Sequence, residues 1–106
     1  MQAIIKAIEY FLPEATLTND ELASSFPDWG IEKIERKTGI TKRHIAGPNE
    51  LSSDLAVKAA QKLFSSGICR PEGIDFILLC TQTPDYFLPP SACLIQEQLG
   101  IPVTAG

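Results

Sequence analysis

The chain has 106 residues, of which 44% are hydrophobic and 21% charged, and its net charge is -4. This composition is typical of one globular domain and excludes a disordered or fibrous protein, while the acidic balance disfavours nucleic acid as a partner. No apolar run is long enough to span a bilayer, and the first residues lack the basic start of a secretory signal, so we expect a cytoplasmic protein. Three cysteines, ten or more residues apart, match neither a metal-binding pair nor a disulfide framework.

The first part of the chain predicts one strand and two short helices. Residues 2 to 13 are rich in isoleucine and aromatic residues and stop at a proline, which predicts an opening strand. Thr18 or Asn19, followed by two carboxylates, predicts the cap of a helix over residues 20 to 25. A second helix is predicted over residues 31 to 37 and is closed by the glycine that follows.

The stretch ERKTGITKRHIAGPNE, residues 35 to 50, is predicted to be a charged loop. It contains four basic residues and the single histidine: Arg36, Lys37, Lys42, Arg43 and His44. We favour a solvated face for the basic residues, and binding of a phosphate-bearing ligand is the alternative. A catalytic role for His44 is disfavoured because Arg43 beside it opposes its protonation.

The second part of the chain begins with the most regular helical pattern. Ser52 or Ser53 is predicted to cap a helix that runs to Gly67. Its apolar stripe, of the width that a core-facing helix needs, comprises Leu55, Ala56, Ala59, Ala60, Leu63 and Phe64. Residues 74 to 82 are almost continuously apolar, which predicts a central parallel strand with Cys80 buried in it.

A proline-rich loop then leads to the last predicted helix, residues 91 to 99, which contains Cys93 as a buried residue and closes at Gly100. A further strand-like run begins at Val103. The order of strand, helices, strand, helix and incipient strand predicts an α/β protein built on a βαβαβ layered unit. Phosphate-loop, dinucleotide-binding and zinc-protease motifs do not occur in the sequence.

Several segments together resemble one family: FLPE at 11 to 14, TNDEL at 18 to 22, KTGITKRHIAGPNE at 37 to 50, the alanine-containing amphipathic helix, and PPSACLIQEQLGIP at 89 to 102. They stand in the same order as in the amino-terminal part of beta-ketoacyl-acyl-carrier-protein synthase III, a thiolase-like condensing enzyme. The resemblance spans nearly the whole chain. It implies a five-layered αβαβα fold of two related halves, in which residues 1 to 106 form an incomplete amino-terminal portion of a thiolase-like domain.

The resemblance also implies an activity. In that family an acyl primer is loaded onto a cysteine, and a malonyl group on acyl carrier protein is decarboxylated to attack it in fatty acid biosynthesis. The catalytic cysteine, histidine and asparagine are expected beyond Gly106, so we expect no catalytic residue and no activity in this chain alone. No permanently bound cofactor or metal is implied; acyl-coenzyme A or acyl carrier protein supplies the substrate, and a homodimer is implied.

Two candidate binding positions follow from the resemblance. In similar enzymes a tryptophan and an arginine just before TGI hold the adenine end of coenzyme A. Aligned on TGI, Lys37 takes the arginine position and Lys33 the tryptophan position, while Trp29 falls four residues too early. Lys37 is therefore expected to contact a phosphate of coenzyme A or pantetheine, and a primer carried by carrier protein stays open because Lys33 offers no ring.

The second position precedes the last helix. In similar enzymes an aromatic residue here reaches across a two-fold dimer and walls the partner's acyl pocket. Leu88 takes this position, with Phe87 beside it, and a loop that seals the domain is the alternative.

Two other functions stay open. One is a specialised condensing enzyme of secondary or polysaccharide metabolism, which the altered adenine clamp would suit. The other is a non-catalytic dimerisation or binding module that ends near Gly106. An unfinished sheet argues against the module, because its exposed strand edge would invite association.

Overall fold

A computed structural model of the chain describes residues 1–102, which divide into two compact units. The ribbon unit holds residues 12–49, and the helix-pair unit joins the first eleven residues to the chain from Glu50 onward. The elements in chain order are β1 Ala15–Thr18, α1 Asn19–Ser25, α2 Ile31–Thr38, β2 Lys42–Ile45, α3 Ser52–Ser65, a 3-10 turn at Pro71–Gly73, and α4 Ser91–Leu99. No helix within residues 1–102 has the length and apolar character needed to cross a bilayer. The predicted strand from Val103 lies outside the described residues.

The ribbon unit contains a two-stranded antiparallel sheet of β1 and β2. Thr16 lies opposite His44, and Leu17 lies opposite Arg43. The prediction that the whole charged stretch is a loop is therefore wrong in its centre, where β2 lies. The pairing joins segments more than twenty residues apart in sequence, so no local pattern within the charged stretch could indicate it.

Helix α1 begins where its capping residues predict. Thr18 is the N-cap: its hydroxyl accepts a hydrogen bond from the Glu21 backbone N–H at 3.3 Å. The Glu21 carboxylate in turn accepts the Thr18 backbone N–H at 2.7 Å, which completes a capping box. The Thr18 hydroxyl also donates to this carboxylate, at 3.0 Å. The bond from the Thr18 backbone N–H, and then the bond from the hydroxyl, hold the pKa of Glu21 below its ordinary value.

Helix α2 extends one residue beyond its predicted end, to Thr38. Gly39 follows with φ of 67°, a left-handed conformation that glycine adopts without steric cost, and its N–H donates to the Glu35 carbonyl at 2.7 Å. Ile34 is the buried residue of α2, 6% exposed. Helix α2 therefore buries one side chain, and its other side chains are exposed.

Helix α3 begins at Ser52, but neither predicted serine caps it. The cap is Leu51, whose backbone N–H donates to the Asp54 carboxylate at 2.8 Å. The Ser53 backbone N–H, one of the free donors at the helix start, donates to the Asp85 carboxylate at 3.2 Å. The beginning of α3 is thereby tied to the loop that precedes α4.

Helix α4 matches its prediction, from Ser91 to Leu99 with Gly100 following at φ of 65°. It packs against α3, and the pair buries Val57 and Ile95, with Ile101 just beyond the helix. The predicted stripe of α3 is half-buried. Burial of Cys80 and Cys93, however, was predicted wrongly, since both are exposed and only half-buried Cys69 is partly covered.

The predicted strands at residues 2 to 13 and 74 to 82 are wrong for the described chain, which has no strand in either segment. A strand exists through hydrogen bonds to a neighbouring strand, and the sheet among residues 1–102 consists of β1 and β2 alone. Their apolar side chains accordingly lie open, with Ile5 82% and Leu78 85% exposed. Apolar composition identified both segments as suited to burial and could not supply their pairing partners.

Candidate functional site

The ribbon unit contains a cavity of about 440 Å³, within the range of small-molecule sites. Helix α2, the turn before it, the connection after it and strand β2 all contribute to its lining. The lining side chains include Trp29, Lys33, Ile34, Lys37, Ile40 and Arg43. One aromatic ring, aliphatic side chains and three cationic side chains therefore converge on one concave surface.

The helical spacing of α2 explains how two lysines reach this cavity. Lys33 and Lys37 are four residues apart, and residues at this spacing lie on the same helix face about one turn apart. Arg36, by contrast, is on α2 but does not line the cavity. Ile34 points inward from the same helix and forms part of the cavity wall.

Trp29 lies just before α2 and lines the same cavity. Its backbone N–H donates to the Phe26 carbonyl at 2.9 Å, and the two aromatic rings stack with centroids 5.1 Å apart. These contacts fix the turn that carries the indole, which stays 50% exposed. The ring is therefore held by the protein and open to a ligand.

In the alignment on TGI, Trp29 precedes the expected tryptophan position, which Lys33 occupies, by four residues. Trp29 lies in the bend before α2, outside the helix, so helical spacing does not relate it to Lys33. The fold of this bend nevertheless brings Trp29, Lys33 and Lys37 to one cavity. No spacing rule in the sequence indicates this placement, because Trp29 and Gly30 lie outside the helix that carries the two lysines.

The electrostatic character of the cavity is positive. Lys33, Lys37 and Arg43 line it, and among the described residues that form the lining there is no carboxylate. The ion pairs found within residues 1–102 involve none of these three cations. In a chain whose net charge is -4, this is a local concentration of unneutralised positive charge suited to an anionic ligand.

The imidazole of His44 makes a hydrogen bond to the backbone. It lies on β2, and its Nδ1 is 2.6 Å from the Pro13 carbonyl oxygen. A carbonyl can only accept, so Nδ1 carries the hydrogen and donates. His44 thus ties β2 to the segment that precedes β1.

Leu88 and Phe87 lie in the helix-pair unit, just before α4. Both are highly exposed, at 81% and 102% respectively, so they do not seal the described part of this unit. The loop that carries them is anchored at Asp85: its carboxylate accepts the Ser53 N–H, and its own N–H donates to the Ser91 hydroxyl at 3.1 Å. An anchored loop thereby presents two exposed apolar side chains.

No family model matches the chain, but solved structures do. A 3-oxoacyl-(acyl-carrier-protein) synthase III is 55% identical, with a TM-score of 0.82 over 96% of this chain. The synthase III of Pseudomonas aeruginosa PAO1 is 39% identical, with a TM-score of 0.73 over 94% of this chain. The priming beta-ketosynthase from the R1128 polyketide biosynthetic pathway is 29% identical, with a TM-score of 0.77 over 93%.

These similarities cover nearly all of this chain and a smaller share of each known protein. The chain spans 30% of the first synthase, 29% of the Pseudomonas enzyme and 29% of the polyketide ketosynthase. The resemblance seen in the sequence motifs and the similarity in fold agree with each other. The chain belongs to the 3-oxoacyl-(acyl-carrier-protein) synthase III family and has part of its thiolase-like fold.

Proposed function

We propose that this chain is the amino-terminal portion of a synthase III-type acyltransferase of fatty acid biosynthesis. The complete enzyme would join an acyl primer to malonyl-acyl carrier protein by decarboxylative Claisen condensation. Residues 1–106 would contribute binding surfaces to one thiolase-like domain, and the catalytic cysteine, histidine and asparagine would follow in the remainder. The identity of 55% to a 3-oxoacyl-(acyl-carrier-protein) synthase III supports this proposal.

The cavity of the ribbon unit would bind the adenine and phosphate end of acyl-coenzyme A. The observation that carries this role is that Trp29 and Lys37 line the same cavity. An indole face stacks on a nucleobase, and a lysine ammonium neutralises a phosphate. This arrangement favours acyl-coenzyme A as primer over a primer carried by carrier protein, because the latter has no adenine.

The remaining properties of the complete enzyme are proposed from the family. Acyl carrier protein would deliver the malonyl group, a homodimer would form, and no cofactor would be bound permanently. The cysteines of the described chain are all free thiols, which supports a reducing compartment and hence the cytoplasm.

Leu88, with Phe87 beside it, would wall the acyl pocket of the partner subunit. Their exposure leaves both side chains available for such a contact. Replacing Leu88 with tryptophan in the complete enzyme should shift the preference towards shorter acyl primers, because the larger ring fills pocket volume. The measurement is kcat/KM for a series of primer lengths, and an unchanged profile would remove Leu88 from the pocket.

A specialised condensing enzyme is the second candidate. The similarity to a priming ketosynthase of a polyketide pathway, at 29% identity, supports it. Product analysis of the complete enzyme with acetyl-coenzyme A and longer primers distinguishes the two candidates.

The test of the primer site is Lys37→Gln in the complete enzyme, with Arg36→Gln as matched control on the same helix. Lys37→Gln should raise KM for acyl-coenzyme A about fivefold with little change in kcat, since an exposed ion pair contributes up to about 1 kcal/mol. Arg36→Gln should leave KM within about twofold of wild type. Equal effects of both variants would show general electrostatic attraction in place of a site, and absence of any condensation product would refute the proposed activity.

A further inference from the structure

Phe26 contacts the aromatic ring of the ribbon-unit cavity but is not among the described residues that line the cavity. Its ring and the Trp29 indole are inclined to each other by 25°, with their centroids 5.1 Å apart. This is an offset-stacked arrangement, which aromatic side chains favour. Because the Phe26 ring covers part of one indole face, a ligand in the cavity has the opposite face on which to stack.

The backbone places these two rings at the ends of one tight turn, residues 26–29. The Trp29 backbone N–H donates to the Phe26 carbonyl at 2.9 Å, and Pro27 takes the second position of the turn, where its fixed φ is favoured. The Phe26 backbone N–H in turn donates to the Leu22 carbonyl at 3.0 Å, at the end of α1. Phe26 therefore connects the indole to helix α1.

The indole depends on this support because Trp29 lies outside α2, which begins at Ile31. Gly30, between them, is the N-cap of α2, and glycine leaves the backbone more freedom than any other residue. Trp29 is also half exposed, so few other contacts restrict its side chain. A ring that is fixed before binding loses less conformational entropy when a ligand stacks on it. The stacked Phe26 ring thus pre-organises the indole for binding.

We propose that Phe26 is a positioning residue of the primer site, which acts through Trp29 without contacting the primer. It holds the indole in the orientation in which the free face stacks on the adenine of acyl-coenzyme A. Binding of a primer that carries adenine therefore depends on Phe26, and binding of a primer thioester without adenine does not. This inference rests on the proposed function, in which Trp29 stacks on the adenine.

The experiment measures KM and kcat of the complete enzyme for acyl-coenzyme A and for the same acyl group on phosphopantetheine, which lacks the adenine. Phe26→Leu removes the ring and keeps an apolar side chain; Phe26→Tyr keeps the ring, at a position that is 50% exposed and can accommodate a hydroxyl. Phe26→Leu should raise KM for acyl-coenzyme A about threefold to tenfold, the equivalent of one aromatic pair, with kcat unchanged. KM for acyl-phosphopantetheine should not change, and Phe26→Tyr should resemble wild type with both primers.

A double-mutant cycle tests whether Phe26 acts through the indole. In the Trp29→Ala background, Phe26→Leu should have no further effect on KM for acyl-coenzyme A. The positioning role is overturned, while the primer site stands, if Phe26→Leu leaves this KM unchanged, raises it equally in both backgrounds, or raises KM for both primers alike. If Trp29→Ala itself leaves KM for acyl-coenzyme A unchanged, the proposed primer site fails as well.

Far-UV circular dichroism reports whether Phe26→Leu folds. Should it not fold, Phe26→Met takes its place, because the flexible methionine side chain fills irregular space without supplying a ring. A wild-type KM for acyl-coenzyme A in Phe26→Met would then overturn the inference.

Discussion

Both units place lysines beside aromatic rings, and the two sets of lysines differ in what neutralises them. In the helix-pair unit, Lys58 Nζ lies 4.7 Å from the centre of the Phe11 ring and 2.7 Å from a Glu50 carboxylate oxygen. In the ribbon unit, Lys33 and Lys37 share a cavity with Trp29, and no carboxylate among the described residues pairs with either lysine. The lysine of the helix-pair unit is neutralised by a carboxylate of the protein. The lysines of the ribbon unit have no such partner among the described residues, so an anionic ligand can pair with them.

Cavity size does not distinguish these two places. The paired lysines line a shallow cavity of about 560 Å³, larger than that of the ribbon unit. Lys62 there lies 5.0 Å from the Tyr10 ring centre and 3.5 Å from a Glu9 oxygen, and it also donates to the Tyr10 carbonyl at 2.9 Å. Lys58 and Lys62 therefore hold residues 9–11 against α3. Charge balance, more than volume, indicates which cavity is a binding site.

The largest expected effect is on the aromatic partner. Trp29→Ala should weaken binding of coenzyme A to the chain about tenfold or more, because stacking on a base contributes about 1–3 kcal/mol. Isothermal titration calorimetry measures this affinity without needing the indole. Tyr86→Ala is the control, since Tyr86 is a similarly exposed aromatic, at 57%, that lies in the helix-pair unit. If the affinity of the Trp29 variant stays within about twofold of that of wild type, Trp29 does not stack on the base.

A pair of lysine variants tests the contrast itself. Lys33→Gln should weaken coenzyme A binding about threefold to fivefold and leave the free energy of unfolding unchanged. Lys58→Gln should do the reverse: it should lower the free energy of unfolding by less than about 1 kcal/mol and leave binding unchanged, because its ion pair is partly exposed. Urea unfolding and calorimetry measure the two quantities. Identical behaviour of both variants would contradict the assignment of separate roles.

The smallest expected effect concerns Glu21, a carboxylate of the ribbon unit that is engaged in capping α1. Its pKa in the folded chain lies below the ordinary value of 4.5, so the folded state binds fewer protons than the unfolded state. The cap's electrostatic contribution is therefore fully present above pH 4.5 and is lost as the pH falls through the folded-state pKa. Glu21→Gln should be less stable than wild type near neutral pH, and the difference should shrink in acid. A difference that is constant with pH would contradict this role.

Local sequence signals predicted the helices well and the strands poorly. Thr18 and Gly39 mark helix ends through their own hydrogen bonds and backbone conformation, so a few neighbouring residues suffice to place them. Strand β2 depends on β1, more than twenty residues away, and nothing within KRHI indicates that partner. Ser52 and Ser53 have the residue type of caps, but Leu51 holds the cap position, and its backbone N–H donates to the Asp54 carboxylate.

The candidate site was likewise predicted in part. The spacing to TGI singled out Lys37 and Lys33, and both line the cavity. Trp29 does not fit the alignment on TGI, and its place at the cavity depends on the bend before α2, which the sequence pattern does not indicate. Arg43 was noted for its charge alone, since its anchor on Asn19 spans two elements that fold together only in three dimensions. Leu88 and Phe87 remain a prediction, supported by their exposure.

The most direct test of the central claim is an NMR titration of the chain with coenzyme A. Trp29 is the single tryptophan, so its indole N–H gives one signal that needs no further assignment. We predict that this signal shifts on titration and that nuclear Overhauser effects connect the indole ring to the adenine protons. Adenine contacts elsewhere on the chain, with an unperturbed Trp29 signal, would contradict the claim that this cavity binds the nucleotide end of the primer.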